Sequence, residues 1–388
     1  MNKISHKELE QDLAISFETK TPAFIQGAIG IGKSDTIRKV SKDYAKRHNL
    51  VYKEWSRLNN DARNQIANGK IEDISTRFIL FDIRSASLDP SDIKGLPNLQ
   101  GSYINWLPDI IFKVASRPDF HGVLFFDEIN QAVPTVQSAL YQVVLDNCAG
   151  TVRLSDNCIR IAAGNRSKDK SNVNKMSLAL QARFTNTELA CPSAKEWVDN
   201  YAIPNKIHRN IQSYLLYQPD HISVDINEIK DQLNFANPRN WTRLSKQLHQ
   251  LDSMNKDKSN DYYSRVERLA EWNIGGEPAI KFSAYVRLQN VIDHHKVMEE
   301  PGLIRSLPID QKWFVMDMIV SEYAKHGKKV IEEVCGIMTH VDGDLAMNFY
   351  KNCTQENKLF PSQLSQARAG RTWATEIVKI LASEVSCQ

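Results

Sequence analysis

The chain has 388 residues, 42% hydrophobic and 24% charged, enough for one large domain and one or two smaller ones, each burying its own core. No stretch approaches the roughly 18 consecutive apolar residues of a membrane span, and MNKISHKELE lacks the apolar segment of a signal peptide, so the expectation is a cytoplasmic protein with no membrane span. A net charge of +3 is too weak to point to nucleic acid by itself, and six cysteines without a C-x-x-C pair (148, 158, 191, 335, 353 and 387) predict buried free thiols rather than disulfides or a zinc site.

In chain order, PAFIQ (22–26) is the first strand-like run, and the segment after it carries Ile37, Val40 and Tyr44 at i, i+3 and i+7, one apolar face of a helix. The segment 50–76 is longer than one further strand needs, and its place in a sheet is left open. Strands follow at FILFDI (78–83), GVLFFD (122–127) and CIRIAAG (158–164). Between the last two, Pro134 opens a helix striped by Val136, Ala139, Leu140, Val143 and Val144. That alternation predicts an α/β fold with a largely parallel sheet between helices, a three-layer αβα core.

Near residue 191 the strand signals give way to helical ones, beginning with a capping box at Ser193-Ala-Lys-Glu196 ahead of Trp197 and Tyr201. Further helices are expected near 208–217, 226–233, 238–251, 277–293 and 311–325, with MNKDKSND (254–261) as a polar connector.

Two motifs carry chemistry. Residues 27–34, GAIGIGKS, fit G-x-x-x-x-G-K-[ST] directly after a strand and at the opening of a helix. The backbone of Gly27, Ala28, Ile29, Gly30, Ile31 and Gly32 would wrap phosphates with its N–H groups at a helix N-terminus, with Lys33 reaching the β- and γ-phosphates and Ser34 ligating Mg²⁺. In GVLFFDEIN an apolar strand ends at Asp127 and is followed at once by Glu128. Paired with the phosphate loop upstream, Asp127 is placed to share Mg²⁺ with Ser34, and Glu128 to orient and deprotonate a water as general base. ATP and Mg²⁺ are the cofactors these motifs predict.

On these residues, and on LDPSDIKGLP (88–97), IAAGNRSKD (161–169), LALQARF (178–184), NPRNWTRL (237–244) and GGEPAIKFSAY (275–285), the chain resembles the MoxR-like AAA+ ATPases over roughly residues 20–325. The resemblance implies a P-loop NTPase core over 1–190, a helical lid over 191–255 and a helical extension over 256–388. It implies that Asn165 is the sensor bridging the γ-phosphate and the attacking water, that Arg183 is an arginine finger serving a neighbouring subunit, and that Arg239 contacts phosphate from the lid. Ala182 departs from the acidic or amide residue common before the finger, so Arg166 remains a rival trans-acting arginine. The stretch 86–110 would be an insertion facing a central channel, with Lys94, Leu96 and Trp106 gripping substrate; a buried tryptophan in an ordinary loop is the alternative for Trp106. A homo-oligomeric ring, a hexamer in the family, remodelling a protein client with a separately encoded von Willebrand factor A-domain partner, completes what the resemblance implies.

The alternative function is a nucleic-acid motor or loader, suggested by the slightly basic balance and by Arg368, Arg371 and Lys379. A small-molecule kinase has no need of Glu128, Asn165 and Arg239 in this order. Asp293, His294, His295 and Glu299 read as a solvated helix end rather than a metal site, and Tyr262, Tyr263, Trp272, Trp313 and Phe314 as core packing.

Overall fold

The structure, a computed structural model, describes residues 3–69, 74–100, 104–166, 174, 176–225, 233–254, 260–287, 294–341 and 343–367. They fall into two compact units, one ending at Pro192 and one beginning at Ser193.

In the first unit, the strand runs at 23–27, 78–83, 122–127 and 158–164 are largely apolar without alternation because both of their faces are covered. Strand β1 (Lys3–Ile4) leads into helix α1 (His6–Thr19), β2 (Ala23–Gly27) into α2 (Lys33–Arg47), and β3 (Val51–Glu54) into α3 (Asn60–Ala67). Then come β4 (Arg77–Arg84), α4 (Pro90–Lys94), β5 (Leu96–Asn98), β6 (Asn105–Leu107) and α5 (Ile110–Ala115). The unit closes with β7 (His121–Asp127), α6 (Pro134–Leu145), the short pair β8 (Cys148–Ala149) and β9 (Val152–Arg153), β10 (Cys158–Asn165), α7 (Leu178–Gln181) and β11 (Thr185–Leu189).

Seven strands form one sheet in the order β1-β11-β2-β10-β7-β4-β3, and every neighbouring pair is parallel. Successive strand residues point to opposite faces: Val123 and Phe125 of β7 join Leu13, Phe17, Ile37 and Val40 of α1 and α2, whereas Leu124 and Phe126 join Phe112, Val136 and Leu140 of α5 and α6. The sheet is thus the middle layer of an αβα sandwich. The segment left open by the sequence supplies β3, an edge strand paired with β4, and α3.

Between β4 and α5 the insertion folds as α4 and an antiparallel hairpin of β5 and β6. Leu96 is 62% exposed and Trp106 37% exposed, so the alternative of a buried tryptophan does not hold.

Among the described residues the second unit is helical in all its regular elements: α8 (Ala194–Trp197), α9 (Arg209–Tyr217), α10 (Pro238–Met254), α11 (Asn260–Ile274), α12 (Gly276–Arg287), α13 (His294–Glu299), α14 (Ile309–His326), α15 (Ile331–Met338), α16 (Gly343–Glu356) and α17 (Phe360–Gln366). The capping box forms, with the Ser193 hydroxyl accepting from the Glu196 N–H at 3.2 Å and the Glu196 carboxylate accepting from the Ser193 N–H at 2.9 Å. One apolar cluster runs through the unit from Ala194 to Ala367, on both sides of residue 255. Tyr262, Tyr263, Trp313 and Phe314 are buried in it, but Trp272 is 63% exposed, which corrects the expectation of packing there. It lies two residues from Ala270 on α11, roughly 200° around the helix from the buried stripe.

The expected helix at 226–233, the end of the one at 277–293, Asp293, most of the 254–261 connector and Arg368, Arg371 and Lys379 lie outside the described residues. Among the described residues no helix is long and apolar enough to cross a membrane, and no group of three metal-ligating side chains forms around His294, His295 or elsewhere. Five of the cysteines are free thiols; Cys158, Cys335 and Cys353 are buried, whereas Cys148 is partly buried and Cys191 exposed, contrary to expectation.

Candidate active site

Parallel strands deliver their C-terminal residues to one edge of the sheet, so residues far apart in sequence emerge together. Asn165 at the end of β10 is the register partner of Gly27 at the end of β2, and Arg84 of β4 is the partner of Asp127 of β7.

The loop after β2 turns through Gly30 at φ +76° and Gly32 at φ +99°, a region that disfavours side chains with a Cβ. Gly32 is the N-cap of α2 and offers no side chain to the N–H groups of the first turn. Those donors, with the positive end of the helix dipole, are an anion-binding arrangement. Lys33 is buried, and its Nζ donates to the carbonyls of Gly27 and Ala28, both at 2.8 Å, and to Asn165 Oδ1 at 3.1 Å. The ammonium is therefore held over the loop by neutral oxygens that can release it to a phosphate.

The Ser34 hydroxyl donates to Asp127 Oδ2 at 3.1 Å. A hydroxyl and a buried carboxylate at this spacing are hard oxygen donors of the kind Mg²⁺ takes, and they fit that ion. The Glu128 N–H donates to Asp127 Oδ1 at 3.0 Å, and Glu128 itself is left-handed, at φ +56° and ψ +36°. A non-glycine residue held there is strained and breaks the strand direction, turning Glu128 out of the β7 line immediately beyond Asp127. The 3₁₀ turn that follows is tied to the neighbouring strand: Asn130 Nδ2 donates to the Asn165 carbonyl at 2.6 Å. Gly164 makes room for this contact, since a Cβ there would lie 2.6 Å from Asn130 Oδ1.

Arg84, its neighbour Asp82 and His6 were missed from sequence. Arg84 Nη1 donates to Asp127 Oδ2 at 2.8 Å, and its Nε lies 3.8 Å from Asp82 Oδ1. Asp82 also accepts from Arg38 of α2; burial pushes its carboxyl above the usual range, with Arg84 and Arg38 pulling the other way. The period-2 spacing of Asp82 and Arg84 at the end of an apolar strand was the available signal. His6 Nε2 donates to the Ile31 carbonyl at 2.8 Å, joining α1 to the phosphate loop; no local pattern announces that contact.

The two rival arginines separate cleanly. Arg166 follows Asn165 at the phosphate-loop edge, 3.8 Å from Glu188 of β11. Arg183 precedes β11, whose Thr185 pairs with Ala23 at the start of β2 while its Leu189 pairs with Gly27. Four residues of strand, roughly 13 Å, separate those levels, so Arg183 belongs to the opposite edge of the sheet from its own phosphate loop. There Arg183 Nη2 donates to the Tyr141 hydroxyl at 2.6 Å, with the guanidinium 5.0 Å from the ring centre. In the helical unit, the Asn237 side chain caps α10 by accepting from the Asn240 N–H at 2.9 Å, and Pro238 takes the first position. Arg239 is exposed in that turn, whereas Arg243 is drawn inward to Asn273 at 2.6 Å.

No protein-family model matches the chain, and neither does any curated protein. Solved structures do resemble it. Cdc6p from Pyrobaculum aerophilum is 12% identical over 98% of this chain and 94% of its own, with a TM-score of 0.41. The Thermotoga maritima RuvB Holliday junction branch migration motor is 14% identical over 76% of this chain and 75% of its own, at 0.31, and C. elegans PCH-2 is 12% identical over 74% and 68%, at 0.32. These overlaps are loose, and the fold assignment rests on the strand order and the phosphate loop: an αβα domain of the P-loop nucleotide-binding type with a helical unit after it.

Proposed function

We propose that this chain is an AAA+ ATPase of the MoxR-like kind, hydrolysing MgATP within a ring to remodel a protein client. The observation that carries the reading is the convergence of Lys33, Ser34, Asp127, Glu128 and Asn165 on one sheet edge, with Lys33 bonded to Asn165 and Ser34 to Asp127. In this reading the N–H groups of residues 27–34 and Lys33 hold the phosphates, Ser34 and Asp127 hold Mg²⁺, and Arg239 contacts phosphate from the helical unit, whose first part to about residue 255 serves as a lid. Bound Mg²⁺ would neutralise charge on the phosphates. Glu128 takes the proton of the attacking water, and Asn165 orients that water.

Arg183 acts in trans, because its own loop lies at the other edge of the sheet. Head-to-tail contacts that place it in a neighbour's site close into a ring, by family analogy a hexamer. The exposed apolar hairpin, with Leu96, Leu99, Ile104, Trp106 and Leu107, favours a protein client over a small acceptor. A von Willebrand factor A-domain partner belongs to the same reading.

The test is binding of ATP to the full chain beside Lys33→Ala. Losing charge-assisted bonds from Lys33 should weaken binding by about 10- to 100-fold. Equal affinity would remove the phosphate loop from the site.

A further inference from the structure

Nothing in the reading above requires a guanidinium on the metal carboxylate, yet Arg84 is there. The oxygen it holds, Asp127 Oδ2, is the same oxygen that accepts from Ser34 Oγ. A divalent cation shared by Ser34 and Asp127 and the guanidinium of Arg84 therefore claim the same lone pairs. Within a few ångströms they also repel as like charges.

A second position waits beside it. Asp82 is fixed by Arg38, an ion pair that keeps one of its oxygens occupied. Its other oxygen, Oδ1, is buried without a hydrogen bond and lies 3.8 Å from Arg84 Nε. A buried carboxylate oxygen without a partner is costly, so a donor that arrives there is welcomed. The Arg84 side chain is 54% exposed and has room to change rotamer.

We propose that Arg84 is a two-position latch: it holds Asp127 when the site lacks metal and moves to Asp82 Oδ1 when a divalent cation takes Asp127. It is a positioning residue, which sets how tightly the site couples nucleotide to metal, and the inference rests on the assignment of Ser34 and Asp127 as the metal ligands. Metal-free nucleotide leaves the latch on Asp127. Metal binding must displace a charge-assisted bond that is partly screened by solvent.

The experiment uses the full-length protein and a fluorescent, non-hydrolysable ATP analogue, with the dissociation constant measured in EDTA and in excess Mg²⁺. For Arg84→Ala the expected result is unchanged affinity in EDTA, within about twofold, and affinity in Mg²⁺ about 5- to 30-fold tighter than wild type. Arg84→Lys, which keeps the charge on a different head, falls between. Asp82→Asn, which weakens the second position, moves the ratio of the two constants in the opposite direction. If Arg84→Ala weakens binding in both conditions, Arg84 is a phosphate ligand and the latch is wrong. An unchanged ratio overturns it as well, because the ion pair then has no coupling to metal. Absence of nucleotide binding by the wild type in either condition overturns the ATP-site assignment itself, a different failure from either of these.

Discussion

The sheet unit and the helical unit spend similar apolar residues on different ends. In the first, both faces of β2, β10, β7 and β4 are largely buried, so their polar side chains sit mainly toward the strand ends, and parallel register gathers those ends at one edge. In the second, apolar stripes on α9, α10, α11, α12 and α14 close around one core, with no sheet edge among the described residues to collect polar side chains. Chemistry concentrates where register forces polar groups together. From the helical unit the proposed site draws on Arg239, at a helix start.

That contrast can be broken at either unit. The largest effect belongs to the sheet edge: Glu128→Gln should leave ATP binding intact while hydrolysis falls by about 10²- to 10⁴-fold, read as phosphate release at saturating MgATP. Turnover equal to wild type would strip Glu128 of its role as base.

In the helical unit the expected effect is on stability. Trp241 is fully buried, packs edge-on against Phe282 with ring centres 5.5 Å apart, and donates from Nε1 to the His221 carbonyl at 2.9 Å. Trp241→Ala should cost about 3–5 kcal/mol in denaturant unfolding of the full chain, through lost packing and an unpaired carbonyl. A cost under about 1 kcal/mol would mean that α10 is not seated in this core. The smallest effect is that of Trp272→Ala, within about 0.5 kcal/mol on the same measurement, because an exposed ring gives up little on removal.

The phosphate loop and the Asp127-Glu128 strand end were legible because each is a local pattern: a glycine spacing in one case, an apolar run meeting two acids in the other. The sheet's alternation with helices was legible for the same reason. What escaped depends on register between distant segments. β1 has only two residues, too few for any periodicity, and is a strand solely because it pairs with Glu188 and Leu189. Arg84 reaches Asp127 only because β4 and β7 are neighbours in that register. His6 meets Ile31 through the packing of α1, which no sequence window contains. Among the helices of the second unit, α15, α16 and α17 were not placed individually within the expected helical extension, and on α11 the stripe of Tyr262, Val266 and Ala270 was there to be read. The same stripe would have placed Trp272 outside the core, had its spacing been weighed above its hydrophobicity.

The account's central claim is an ATPase site at the sheet edge that a neighbour's Arg183 completes. The direct measurement is ATPase rate against protein concentration, for wild type beside Arg183→Ala, with mass determined at each concentration in the presence of ATP. The account predicts specific activity that rises as the protein assembles, and a variant that assembles equally but turns over about 10³-fold or more slowly. A monomer that hydrolyses ATP at the same rate in both proteins would contradict it, leaving a single-subunit P-loop enzyme in its place.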